Sequence, residues 1–202
     1  MGGRADATDH ANAAQHGTRR VTGVELGRLR RCLGHFATGV TVVTTRRGAA
    51  VHGATVNAFT AVSLEPPLVL VSLDRRSTAC AYLENAWFCV NVLSADQEDL
   101  AQHFAGRPVG LEEVSWVDPE GVPRLAGTLA HLVCSPWASY DGGDHVLHVG
   151  EVQEFDVSRG RPLIFYQGDL RELGDTLDQA AWMGSLDCPE GATMFTGLSG
   201  QR

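Results

Sequence analysis

The chain has 202 residues, is 44% hydrophobic and 20% charged, and carries a formal net charge of −8. That length and balance suit one globular domain with a real core and exclude a disordered chain. The acidic balance argues against a nucleic-acid binder, because the only basic runs are the pairs Arg19–Arg20, Arg30–Arg31, Arg46–Arg47 and Arg75–Arg76. No apolar stretch approaches the ~20 residues of a membrane span. The first residues lack an apolar leader segment, so no secretory signal is expected. Five cysteines, Cys32, Cys80, Cys89, Cys134 and Cys188, show no paired spacing and an odd count. They read as reduced, mostly buried thiols of a cytoplasmic protein.

In chain order, residues 1–20 are rich in Ala, Gly, Asp, His and Asn without periodicity and read as a disordered tail. Thr22 and Glu25 form a capping box, and Leu26, Leu29, Leu33 and Phe36 follow at helical spacing, which predicts a helix over 24–37. Residues 40–45 are β-branched throughout and predict a buried strand. Arg46-Arg47-Gly48 is the turn of a hairpin whose second arm is 51–59. Pro66 and Pro67 lead into an apolar strand over 68–73. Ser77 caps a short helix to about Leu83, and a strand follows over 87–93. Ser94 and Gln97 form a second capping box, opening a helix that ends near Gly106. Residues 106–121 read as a surface excursion in which Trp116 and Val117 tuck in. Long strands are expected over 125–135, 145–157 and 162–166, the first two joined by a polar loop over 139–144 that bends at Gly142-Gly143. Six or seven strands and three short helices, mostly linked by short turns, point to an antiparallel, mainly β barrel with peripheral helices. The domain is expected over 21–174, with a C-terminal extension over 175–202.

The segment VHGATVNAFTAVSLEPP (51–67) is unusual for a core strand. Small and hydrogen-bonding side chains stand where Val, Ile or Leu belong, which admits a flat ligand or another backbone close by. Composition alone favours an edge strand with a turn. Taken with FATGVTVVTT (36–45) and VNVLSADQEDLAQHF (90–104), however, the segment resembles the flavin reductase family. These are small NAD(P)H:flavin oxidoreductases that supply two-component monooxygenases.

The resemblance covers roughly residues 25–173. It implies a split β-barrel, a homodimer with flavin at the subunit interface, FAD or FMN as flavin, NADH or NADPH as co-substrate, and a monooxygenase partner fed by reduced flavin. Thr38 and Gly39 would lie against the flavin, although the residues themselves read as a helix end. Thr55, Val56, Asn57 and Ala58 resemble the flavin contact strand. Ser63, ahead of Pro66 and Pro67, matches a family serine, with a plain turn hydroxyl as the alternative; Ser72 joins the flavin contacts. Arg75, Ser77 and Thr78, at a helix start, are candidates for the flavin phosphate, the alternative being a cap beside a solvated charge pair. Asn91, a polar residue in an apolar strand, is a further candidate whose amide faces either a ligand or the backbone of a bulge. His145 falls where the family commonly has a nicotinamide-side His. Tyr166 begins the family's closing segment, from which this chain departs at Asp169-Leu170-Arg171.

No phosphate loop of Rossmann or Walker type is present. His103, His131, His145 and His148 lack metal-ligand spacing, so no metal is expected. A Ser or Cys hydrolase is unsupported, since no nucleophile elbow exists and no cysteine has an obvious base beside it. The expected reaction is hydride transfer from the nicotinamide to flavin N5, with His145 orienting the nicotinamide. The rivals are a pyridoxamine phosphate oxidase-like FMN oxidase, a deazaflavin-type reductase and a non-catalytic flavin-binding protein.

Overall fold

A computed structural model of the chain describes residues 22–107, 110, 113–117 and 121–175. The tail expected over 1–20 lies outside them, as does all but the first residue of the extension expected over 175–202. Helix α1 (Gly23–Leu33) starts at the predicted capping box, where Thr22 N donates to the Glu25 carboxylate at 2.8 Å. It stops at Gly34, earlier than position 37, because residues 34–36 turn toward the C-terminal hairpin and Gln167 N donates to Gly34 O at 3.0 Å. Strands β1 (Thr38–Gly39), β2 (Thr41–Arg47), β3 (Ala50–Val56), β4 (Phe59–Leu64) and β5 (Pro67–Asp74) follow. Next come α2 (Thr78–Leu83), β6 (Phe88–Val92), a 3-10 turn (Ala95–Gln97) and α3 (Glu98–Phe104). The remainder is strand: β7 (Trp116–Val117), β8 (Arg124–Leu125), β9 (Ala130–Gly142), β10 (His145–Val157), β11 (Leu163–Tyr166) and β12 (Asp169–Glu172).

Seven strands form one antiparallel sheet in the order β3-β2-β6-β9-β10-β5-β4. Its two edges, β3 and β4, are consecutive in the chain and joined only by Asn57 and Ala58. Six strand spacings would put the edges of a flat sheet ~29 Å apart. The chain from Val56 to Phe59 reaches about 11 Å at most. The sheet therefore curls until its edges meet at this corner, giving the split barrel. The segment expected as one strand over 51–59 is two, because its halves belong to opposite edges.

β2 is buried on both faces, which explains its unbroken β-branched run. Val43 faces the barrel interior with Val56, Val71, Leu73, Phe88 and Val90, closed at one end by Ala79, Cys80 and Leu83 of α2. Val42 faces outward into a second core with Val40, Leu93, Ala101, Leu125 and Leu163, against which α3 and β11 pack. β10 spans the expected 145–157, whereas β9 starts later than expected, at Ala130, and runs further, to Gly142. Residues 139–142 stay in the ladder, leaving only Gly143 and Asp144 as the turn, with Gly143 at φ +79. Tyr166 and Asp169 close the β11–β12 hairpin around Gln167 and Gly168, both at positive φ.

Candidate functional site

The corner where the barrel edges meet collects most of the candidate residues. Asn57 and Ala58 are exposed there, while Val56 turns its side chain into the barrel core and lends its carbonyl to the Thr41 hydroxyl at 2.7 Å. The Asn57 amide donates to Thr38 Oγ1 at 3.3 Å, tying β1 to the corner. Beside Thr38, a Cβ on Gly39 would meet nothing within 4 Å, so the backbone there faces open space. Thr38 pairs with Phe165, which brings Tyr166 alongside. Tyr166 is framed by His35 edge-on, with ring centroids 6.2 Å apart, and by the Arg171 guanidinium at 5.8 Å.

Ser72 N donates to Ala58 O at 3.0 Å, so β5 continues the strip. On its other side Ser72 pairs with Leu147 and Asp74 with His145, which sets His145 on the outer face two residues along. His145 Nδ1 lies 2.8 Å from the Asp144 carboxylate, which is held below the ordinary carboxylate range chiefly by that contact. The Asp74 carboxylate is held well below its usual range by hydrogen bonds from Arg76. A cavity of 610 Å³ opens next to Asn57, between α3 and the β11–β12 hairpin, lined by Thr55, Gln102, Phe165 and Arg171 among others.

Other candidates are engaged within the protein. The Thr55 hydroxyl donates to Ala101 O at 2.6 Å, fastening β3 to α3 at the cavity wall. Arg75 pairs with the Asp141 carboxylate and reaches the Gly143 and His145 carbonyls at 3.4 Å, so its guanidinium braces the β9–β10 turn. Ser77 Oγ accepts from Cys80 N at 3.1 Å as the α2 cap, with Thr78 exposed beside it. Ser63 donates to Pro66 O, acting as a turn hydroxyl. Pro67 lies five positions before Ser72 on β5, about 16 Å of strand, so Ser63, Pro66 and Pro67 stand at the far end of the β4–β5 hairpin from the strip.

Asn91 is corrected from flavin contact to core clamp. It is fully buried; its amide donates to Val42 O and Thr44 Oγ1, both at 2.9 Å, and its carbonyl accepts from Leu125 N at 2.9 Å. The Cys89 thiol takes the carbonyl's second acceptor direction at 3.6 Å, so no donor or acceptor direction is left for a ligand.

Sequence reasoning missed the Asp144 partner of His145, legible only as its neighbour in the chain, and the cavity walls from α3 and β12. It also missed a base beside a cysteine: Cys80 Sγ lies 3.5 Å from His148 Nε2. His148 and Cys80 come from β10 and α2, which only the folded barrel brings together. Among the described residues, no group of three or more His, Cys, Asp or Glu side chains gathers to hold a metal.

The fold is that of a mainly β, split-barrel flavin protein. The flavin reductase like domain description matches residues 33–174. An NADH-dependent flavin reductase of a Rhodococcus species is 46% identical over 149 residues, covering 72% of this chain and 85% of that protein. The reductase subunit HsaB of a flavin-dependent monooxygenase, from Rhodococcus jostii, is 38% identical over 165 residues, 79% of this chain and 85% of the other. Among solved structures, a Streptomyces globisporus NADH:FAD oxidoreductase in complex with NAD and FAD fragments superposes with a TM-score of 0.71 at 38% identity, covering 79% of this chain and 99% of that one. The chain belongs to the flavin reductase like domain family.

Proposed function

We propose that this chain, an NAD(P)H:flavin oxidoreductase, holds FAD or FMN along the strip running from Thr38 and Asn57 through Ala58 and Ser72 toward His145. The observation that carries the reading is the exposed corner at Asn57 and Ala58, where the barrel edges meet beside open space at Gly39. The residues fit a flavin: compact side chains leave a flat surface, and hydroxyl and amide groups offer hydrogen bonds to a heterocycle's edge. Held along this strip, a flavin would supply the redox chemistry as hydride acceptor from a dihydronicotinamide.

The chain's own residues supply position. Asn57 and Thr38 fix the edge of the strip through their mutual hydrogen bond. His145, anchored by Asp144, stands over the strip's far end and orients the nicotinamide. Holding two rings in contact converts an encounter between two molecules into an aligned transfer, and no strong acid or base is needed. Ser77 and Thr78 stand near that end as the anion seat. A strip built from backbone and small polar groups, with Arg75 already paired to Asp141, binds flavin without dedicated charge pairing and so favours release. Reduced flavin then passes to a monooxygenase partner, as the name of the HsaB relative supports.

A homodimer completes the assembly. Its support is apolar surface left bare in the single chain: Val24, Leu33 and Phe36 around α1, and Leu64, Phe155 and Val157 on the sheet, are all more than 60% exposed. Four free thiols among the described residues suit a reducing, cytoplasmic setting. The test is NAD(P)H consumption by purified protein: it should rise above the no-enzyme rate only when FAD or FMN is added, and consumption at the no-enzyme rate with both flavins would overturn the function.

A further inference from the structure

Outside the flavin strip, the mouth of the barrel beside α2 holds a cysteine, a histidine and a serine in series. Cys80 Sγ lies 3.5 Å from His148 Nε2, and His148 Nδ1 lies 3.0 Å from Ser139 Oγ. This is the order of a nucleophile, a base and a group that orients the base. We propose that Cys80 is a site of oxidation by hydrogen peroxide, with the His148 imidazole as the base that takes the thiol proton.

Geometry separates Cys80 from its fellow buried thiols. Cys89 Sγ faces the Asn91 amide oxygen at 3.6 Å and Cys134 Sγ faces Leu132 O at 3.6 Å, so neither has a basic neighbour. Burial pushes both thiols up to about 12 and raises the Cys80 thiol as well, so the neighbouring imidazole and not the pKa sets Cys80 apart. Cys80 is also buried, but it lines a cavity of 420 Å³ with Ala81, Ser139, Tyr140 and His148, which gives a water-sized oxidant access and leaves room for an added oxygen. Burial lowers the His148 pKa, keeping the imidazole neutral, so that a ring nitrogen can accept a hydrogen bond from the thiol.

The step balances. The S–H bond breaks, its proton passes to His148 Nε2, and the sulfur electron pair attacks one peroxide oxygen. An S–O bond forms, the O–O bond breaks, and the leaving hydroxide takes the proton back as water. Sulfur loses two electrons to give the sulfenic acid, and the peroxide gains two. The oxidant has a source: reduced flavin that meets dioxygen returns its electrons and yields hydrogen peroxide. That source rests on the function proposed above; the site does not. Ser77 Oγ accepts from Cys80 N at 3.1 Å, so the oxidised residue belongs to the first turn of α2, beside the proposed anion seat.

The experiment exposes the full chain, without flavin or nicotinamide, to hydrogen peroxide, traps sulfenic acid with dimedone and reads each cysteine peptide by mass spectrometry. Cys80 should gain the adduct at least about tenfold faster than Cys89 and Cys134, and His148→Asn should slow Cys80 by roughly tenfold or more. Labelling of Cys80 no faster than Cys89 and Cys134, or an undiminished rate in folded His148→Asn, overturns the proposal. Should that variant not fold, the ranking of the three thiols in the natural protein decides. With added peroxide and no flavin present, failure here leaves the reductase function untouched, and failure of NAD(P)H oxidation leaves this test intact.

Discussion

Asn57 stands at the join of the two barrel edges with its side chain in solvent and its amide shared with Thr38. Replacing it by Ala removes one such group without touching the core. Flavin affinity should fall about five- to tenfold, the worth of a single hydrogen bond, with the melting temperature little changed. Fluorescence quenching titration measures this, and unchanged affinity would count against the strip. His145→Ala should raise KM for NAD(P)H more than KM for flavin, because the imidazole lies at the strip's far end beside Asp144; the opposite ranking would move the nicotinamide elsewhere. His148 behaves differently, since burial lowers its pKa below 6.5, opposed by the Glu84 carboxylate. The unfolded chain binds that proton first, so stability is retained above pH 6.5 and lost as pH falls below it toward the folded value. Urea unfolding of the natural protein and His148→Asn between about pH 7 and pH 5 should show a shallower loss in the variant, well above the range where Asp74 and Asp144 titrate. Equal slopes would contradict a neutral buried imidazole. These residue contacts were unevenly legible. Thr38 and Asn57 stood in recognisable motifs, whereas the His148–Cys80 contact depends on how α2 caps the barrel.

At the level of elements, polar and small residues inside apolar strands proved to be packing devices. Asn91 was legible as a residue that must find partners, but its motif could not show which face it takes. The structure turns it outward from the barrel into the second core, where it joins β2, β6 and the backbone of Leu125. Asn91→Ala leaves those groups unpaired in a dry interior and should cost about 2–4 kcal/mol of stability. Denaturant midpoints that stay unchanged would contradict the clamp. Gly150 serves shape: a Cβ there would sit 2.5 Å from Phe88 Cζ and 2.8 Å from Cys134 Cβ. Gly150→Ala should therefore destabilise by about 1–3 kcal/mol through overpacking, read from the same unfolding curves. Helix and strand types were legible because capping boxes and β-branched runs are local signals. The split of 51–59 into β3 and β4 was not, since both halves read as strand and only the closure of the sheet assigns them to opposite edges.

For the molecule as a whole, one topological fact organises the rest. Consecutive strands at the two edges of a seven-stranded sheet force it to curl, and the short link between them becomes the exposed corner that gathers Thr38, Asn57, Ala58 and Ser72. The resemblance over 25–173 anticipated the barrel, the activity and the family; the cavity beside α3 and the bare apolar surface at α1 arise from tertiary packing that no short motif records. The most direct measurement is steady-state NADH and NADPH oxidation by the purified chain, with FAD, with FMN and without flavin. Turnover should depend on added flavin and fall when Asn57 is replaced by Ala at subsaturating flavin. Consumption no faster than in the absence of protein, with either nicotinamide and either flavin, would contradict it.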